Sequence, residues 1–79
     1  MPRTLRTPRH EALCAYLAES RKRAGLTQQA VAKRLGRYQS FVAMVEGGQR
    51  RVDVVEFLDF AEAIGFDPHA AIRKLLKSR

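Results

Sequence analysis

The sequence predicts an all-α fold, a bundle of five short helices, on three observations. Apolar residues recur at helical spacing, and no alternating β pattern occurs anywhere. Four of the five helical stretches have a start signal (Pro8, Thr27, Asp53 with Glu56, Asp67-Pro68), and four have a glycine that stops them (Gly25, Gly36, Gly48, Gly65). A length of 79 residues leaves room for one domain around one small core.

Residues 1–7 carry Arg3 and Arg6 with little to bury and read as a flexible basic arm; the folded domain is expected over 8–79. Proline suits the first helical position, so Pro8 opens a first helix running to about Ala24. Its predicted inner face is Leu13, Tyr16, Leu17, Ser20, Arg21 and Ala24, and Gly25 caps its end. Thr27 is a good N-cap for a second helix, Gln28 to Leu35, with Val31, Ala32 and Leu35 inward. Gly36 can take the left-handed conformation of a tight turn. A third helix, about Gln39 to Gly47, buries Phe41 or Val42 together with Val45. Asp53 with Glu56 makes a capping box for a fourth helix reaching Ile64. Its inner face is read as Phe57, Leu58, Ala61 and Ile64, leaving Val55 and Phe60 partly spare. Asp67 and Pro68 open a fifth helix that runs to about Lys77.

Composition excludes several function classes. One cysteine, Cys14, forbids an intramolecular disulfide, and with only His10 and His69 beside it no zinc-ligand spacing exists, so no metal or cofactor is expected. Cys14 lies in an apolar helical stretch and reads as a partly buried thiol. No apolar run approaches the roughly 20 residues of a membrane helix, and the basic N-terminus lacks an apolar signal region; a cytoplasmic protein without membrane contact is expected. No nucleophile with a base, paired carboxylates or phosphate-binding loop stands out, so no enzyme is expected.

The net charge of +7 is informative through its placement. Arg21, Lys22, Arg23, Lys33, Arg34, Arg37, Arg50 and Arg51 stand against one acid, Glu46, between residues 21 and 51. Asp53, Glu56, Asp59, Glu62 and Asp67 then follow without a base among them. Such segregation gives the domain a positive and a negative face, as docking on phosphate requires. The positive block surrounds Leu26 to Gly48, two short helical patterns hinged at Gly36 with a Thr cap in front and two glycines behind. That is the layout of a helix-turn-helix, which lays its second helix in the DNA major groove.

In register, the chain shows Arg21-Lys22, Gly25-Leu26-Thr27-Gln28, Ala32, Gly36, Gln39-Ser40, Val42, Val45-Glu46, Gly48, Arg50-Arg51 and Leu58-x-x-Ala61-x-x-Ile64-Gly65. Over roughly Leu17 to Phe66 this resembles the phage-repressor and Cro-like helix-turn-helix domains, the XRE family, and implies a repressor-like five-helix bundle. The resemblance implies that Gln28 reaches a phosphate and braces the first residue of the recognition helix. It implies that Gln39 and Ser40 read base edges, with Ala43 and Met44 one turn further on the same face. Lys33, Arg34, Arg37, Arg50 and Arg51 would meet phosphates, and Arg21 with Glu46 would form an ion pair tying the first helix to the third. Glutamine can offer adenine a donor and an acceptor together, which makes the base-reading role physically reasonable. Met44 either meets a thymine methyl or is partly buried. Tyr38 departs from the family pattern: it stands at the N-cap of the recognition helix, cannot cap it with its own hydroxyl, and is free to reach a phosphate or a base. Arg3, Arg6 and Arg9 either track a minor groove, as basic arms do, or belong to an untethered tail.

The function expected is a sequence-specific DNA-binding transcriptional regulator, a repressor, that binds double-stranded DNA at a short palindromic operator as a homodimer. Phe60, Ile72, Leu75 and Leu76 are the expected dimer contacts, with Arg73, Lys74 and Lys77 at the rim. The alternative is an antitoxin-like or co-regulator protein whose main partner is another protein.

Overall fold

A computed structural model describes residues 7–78. Five helices follow in order, α1 (Pro8–Arg23), α2 (Gln28–Leu35), α3 (Gln39–Glu46), α4 (Val54–Ile64) and α5 (Pro68–Leu76). The described residues contain no strand. The fold is the all-α helix-turn-helix bundle that the patterning predicts.

Short polar side chains start four of the helices by taking up backbone N–H groups that no helical carbonyl can reach. Thr7 accepts from the His10 amide at 3.1 Å, Thr27 from Ala30 at 3.0 Å, and Asp67 from His69 at 3.0 Å. Asp53 and Glu56 complete the reciprocal capping box of α4. Tyr38, at the start of α3, makes no such side-chain bond. Gly36 sits at φ 70°, and the amide of Arg37 turns back onto the Ala32 carbonyl at 2.9 Å. The turn between α2 and α3 therefore needs a residue that tolerates the left-handed region.

Leu17 of α1, Val31 and Ala32 of α2, Phe41, Val42 and Val45 of α3, and Phe60, Ala63 and Ile64 of α4 form one core. Phe41 and Val42 are both inside, which resolves the choice left open for α3. On α4 the expected inner face is corrected. Phe60 is 1% exposed and stacks on Phe41 at 6.0 Å between ring centres, whereas Leu58 is 45% exposed. Positions 57, 60, 61 and 64 repeat at i, i+3, i+4 and i+7, so they share one stripe, and residue 58 stands about 100° away from Phe57. Phe60 is therefore a core residue of the single chain and is withdrawn from the expected dimer contacts.

Helix α5 packs mainly on α1. It buries only Ala71 completely, leaves Leu75 half-buried, and exposes Ile72 and Leu76. Its end is held by Arg9, whose Nε donates to the Ser78 carbonyl at 3.0 Å and whose Nη2 donates to the Leu76 carbonyl at 3.4 Å. Arg9 thus belongs to α1 and not to an arm; Arg3 and Arg6 lie outside the described residues. Next to it, His10 is buried with Nε2 3.3 Å from the Gly48 carbonyl, just beyond α3. Tyr16 and Phe66 meet edge to face at 5.2 Å and fill the seam between α1 and the turn before α5. Cys14 is buried, as its setting suggests. Among the described residues no helix is long and apolar enough to cross a membrane.

Candidate nucleic-acid interface

Helix α3 owes its orientation to the three side chains it buries. Phe41, Val42 and Val45 face the core, so Gln39, Ser40 and Met44 are turned out to solvent and Ala43 lies half-buried between. Helix α2 makes the most extensive contact with α3, across the turn at Gly36. All four residues expected to read bases therefore lie on α3, with the three polar or flexible ones exposed.

A chain of polar contacts fixes the front of this helix. Arg21 donates from Nε to Glu46 Oε2 at 2.6 Å and from Nη2 to Glu46 Oε1 at 3.0 Å, a two-pronged pair with only 11% and 9% of the side chains exposed. Its third nitrogen donates to the Leu26 carbonyl at 2.9 Å. Glu46 raises the guanidinium's affinity for its proton, chiefly through the direct hydrogen bond. Glu46 Oε1 also accepts from Gln28 Nε2 at 2.9 Å, and Gln28 Oε1 accepts from Gln39 Nε2 at 2.7 Å. The ion pair and the bracing contact anticipated from the motif form one connected network spanning α1, α2 and α3.

A second cluster gathers at the turn before α3 and the loop after it. The guanidinium of Arg37 lies 3.7 Å from the centre of the Phe41 ring, and that of Arg50 lies 4.8 Å away. Both reach Glu56: Arg50 pairs end-on, Nη1 and Nη2 each at 3.0 Å from one oxygen, and Arg37 approaches at 3.5 Å. The carboxyl of Glu56 is held down to about 2, first by the Arg50 hydrogen bonds and then by the Asp53 backbone amide. The residue was legible as half of a capping box; its hold on two arginines depends on packing that brings α4 beside the turn, and no local pattern signals that.

The remaining basic positions divide. Lys33 and Arg51 are exposed, as is Tyr38 at 85%. Arg34 is exposed, and its Nη1 donates to the Ala63 carbonyl at 2.7 Å in the last turn of α4. It satisfies one of the acceptors a helix leaves unpaired at its C-terminal end, so it serves the fold. His10 was not anticipated; a histidine in the first turn of a helix carries no pattern that says it will be buried. No group of three metal-binding side chains occurs among the described residues.

Residues 12–73 match the family model of a helix-turn-helix domain. Among solved structures, an XRE-family like protein from Pseudomonas syringae pv. tomato str. DC3000 is 52% identical over 85% of this chain and 82% of that one, with a TM-score of 0.80. The restriction-modification controller protein C.AhdI from Aeromonas hydrophila is 34% identical, covering 78% of this chain and 94% of its own, with a TM-score of 0.72. The clp gene regulator ClgR from C. glutamicum shares the fold with a TM-score of 0.78, at 20% identity over 86% of this chain and 88% of that one. No curated protein matches the sequence.

Proposed function

Because this chain belongs to the XRE-like helix-turn-helix family of DNA-binding transcription regulators, we propose that it represses transcription by binding a short palindromic operator as a homodimer. The observation that carries the reading is the braced Gln39. Its Nε2 is engaged by Gln28, its side chain is exposed, and it begins a helix whose outer face is free of bulky apolar residues except Met44. A glutamine so oriented presents its other amide hydrogen and its carbonyl oxygen as a pair, which suits adenine in the major groove. Ser40 and Met44 extend the reading edge. Lys33, Arg37, Arg50, Arg51 and the Tyr38 hydroxyl supply phosphate contacts that set register without reading sequence.

One eight-residue helix reads few base pairs, which favours doubling by two-fold symmetry. Two surfaces support a dimer. Helix α5 exposes Ile72 (48%) and Leu76 (59%) among the basic side chains of Arg73, Lys74 and Lys77. Helix α4 exposes Val55 and Leu58 beside the acids Asp59 and Glu62. One face is apolar and basic, the other apolar and acidic, so each can meet its complement on a second copy.

The test is selection of bound sequences from a random duplex library. The expected result is an inverted repeat whose half-sites lie about 34–36 Å apart. Recovery of a single unrepeated site would remove the symmetric dimer, and recovery of no preferred sequence would remove sequence-specific regulation.

A further inference from the structure

Arg37 and Arg50, two of the cations best placed for phosphate, are not free in the unbound protein. Both lie on the Phe41 ring and both point at one carboxylate, Glu56. A carboxylate facing a guanidinium end-on uses the same paired N–H geometry that a phosphate would use. The arginines nonetheless remain open to solvent, with 41% and 37% of their side chains exposed, while Glu56 beneath them is only 16% exposed. A phosphate can therefore reach the guanidiniums from outside while Glu56 holds them from within. In direct contact are two positive groups and one negative, and Asp53 adds a further negative charge near Arg50.

We propose that Glu56 is an internal competitor for backbone phosphate that limits how tightly Arg37 and Arg50 grip any duplex. The inference rests on the DNA-binding reading and adds a restraint to it. Sequence-independent affinity comes almost wholly from phosphate neutralisation, so a fixed carboxylate among the phosphate-binding cations lowers that term directly. Base contacts at Gln39 and Ser40 are untouched by it, since no hydrogen bond joins Glu56 to the Arg21–Glu46–Gln28–Gln39 network. Arg50 is held further by its Nη1, which also donates to the Arg51 carbonyl at 2.8 Å. Phosphate must share or displace Glu56 to bind the fork.

Titration of a labelled random 20-base-pair duplex at several salt concentrations tests this, with wild type, Glu56→Gln and Glu19→Gln compared. Glutamine keeps an oxygen able to accept the Asp53 amide, and Glu19→Gln removes an equal charge from an exposed site on α1 that belongs neither to the DNA-facing side nor to the proposed dimer faces. Glu56→Gln is expected to bind about threefold to fivefold tighter at low salt, against about twofold at most for Glu19→Gln. Its log–log salt slope should steepen by about one. Equal binding by the two variants, or weaker binding by Glu56→Gln, overturns the proposal while leaving DNA binding intact; no duplex binding by any of the three proteins overturns both. A measurement on unaltered protein covers the case in which Glu56→Gln does not fold. The side-chain carboxyl carbon resonance of Glu56 should move toward that of a solvated glutamate as duplex is added, and a resonance that stays in place overturns the proposal.

Discussion

Gln39 donates from Nε2 to Oε1 of Gln28 at 2.7 Å, so the amide proposed to meet DNA is already held in one orientation by the protein itself. Preorganisation of this kind reduces the side-chain entropy lost on binding. It also fixes which end of the amide faces inward, leaving a donor and an acceptor together on the outer side.

Gln39→Ala is expected to weaken binding to the selected operator by about 1–3 kcal/mol and binding to random duplex very little. Gln28→Ala should show a smaller loss in the same direction, because it loosens the brace. Isotherms on both duplexes check this, and equal losses on the two would show that Gln39 contacts only the backbone.

Phosphate contact predicts steep salt dependence. A dimer using Lys33, Arg37, Arg50 and Arg51 from each subunit should show a log–log slope of roughly −4 to −7. Arg51→Ala should flatten it and weaken operator and random duplex alike. A slope near zero would take DNA binding out of the account.

Glu46→Ala strands Arg21 at a partly buried helix junction. Breaking one partner of a fully buried pair costs about 3–5 kcal/mol; this partly buried pair should lose less, still beyond a typical surface change. Thermal melting should fall by many degrees, and operator binding should fall with it because Gln28 loses its anchor. An unchanged melt would mean that water replaces the carboxylate without penalty.

The pH dependence follows from Glu56. Its folded-state proton affinity is lowered, to about 2 from an ordinary 4.5, so its contribution to stability is complete above about 4.5 and disappears as pH falls through that window toward 2. Wild type should therefore be more stable than Glu56→Gln at neutral pH, and the two curves should converge between about pH 4.5 and 2. Denaturation profiles measured across that range check the sign; a constant gap would show that the ionised carboxylate contributes nothing.

Wild type is expected to sediment as a dimer at micromolar concentration, and Ile72→Glu with Leu76→Glu to give a monomer. Both side chains are exposed in the single chain, so the substitution spares the core. A dimer that persists in the variant would move the interface away from α5.

The boundaries of the helices were legible because caps are local: Thr27, Asp53 with Glu56, and Gly36 each act within four residues of themselves. The network through Arg21, Glu46, Gln28 and Gln39 was legible in its parts through the family motif, although its continuity depends on the contact between Gln28 and Glu46, which the motif does not signal. What stayed hidden depends on contacts distant in sequence. Phe60 and Leu58 are both large and apolar, and only the position of α3 decides that the ring of Phe60 goes inside against Phe41. Arg34 looks like any basic residue on α2 until the end of α4 is brought alongside it. Glu56 likewise reaches Arg37 and Arg50 only after the loop has closed.

The side chains of Arg9 and His10 bear on the order in which the chain assembles. The hydrogen bond from Arg9 to Ser78 spans 69 residues and the His10 contact to Gly48 spans 38, whereas α2 and α3 are joined by one tight turn. Closing so long a loop is entropically expensive and comes after local structure has formed. Docking of α5 on α1 is then expected to come late in folding, and its amides to be among the first to exchange in the isolated subunit. Because Ile72 and Leu76 lie on that helix, association of two subunits would complete the folding of each, coupling the concentration of the protein to the order of its C-terminal helix.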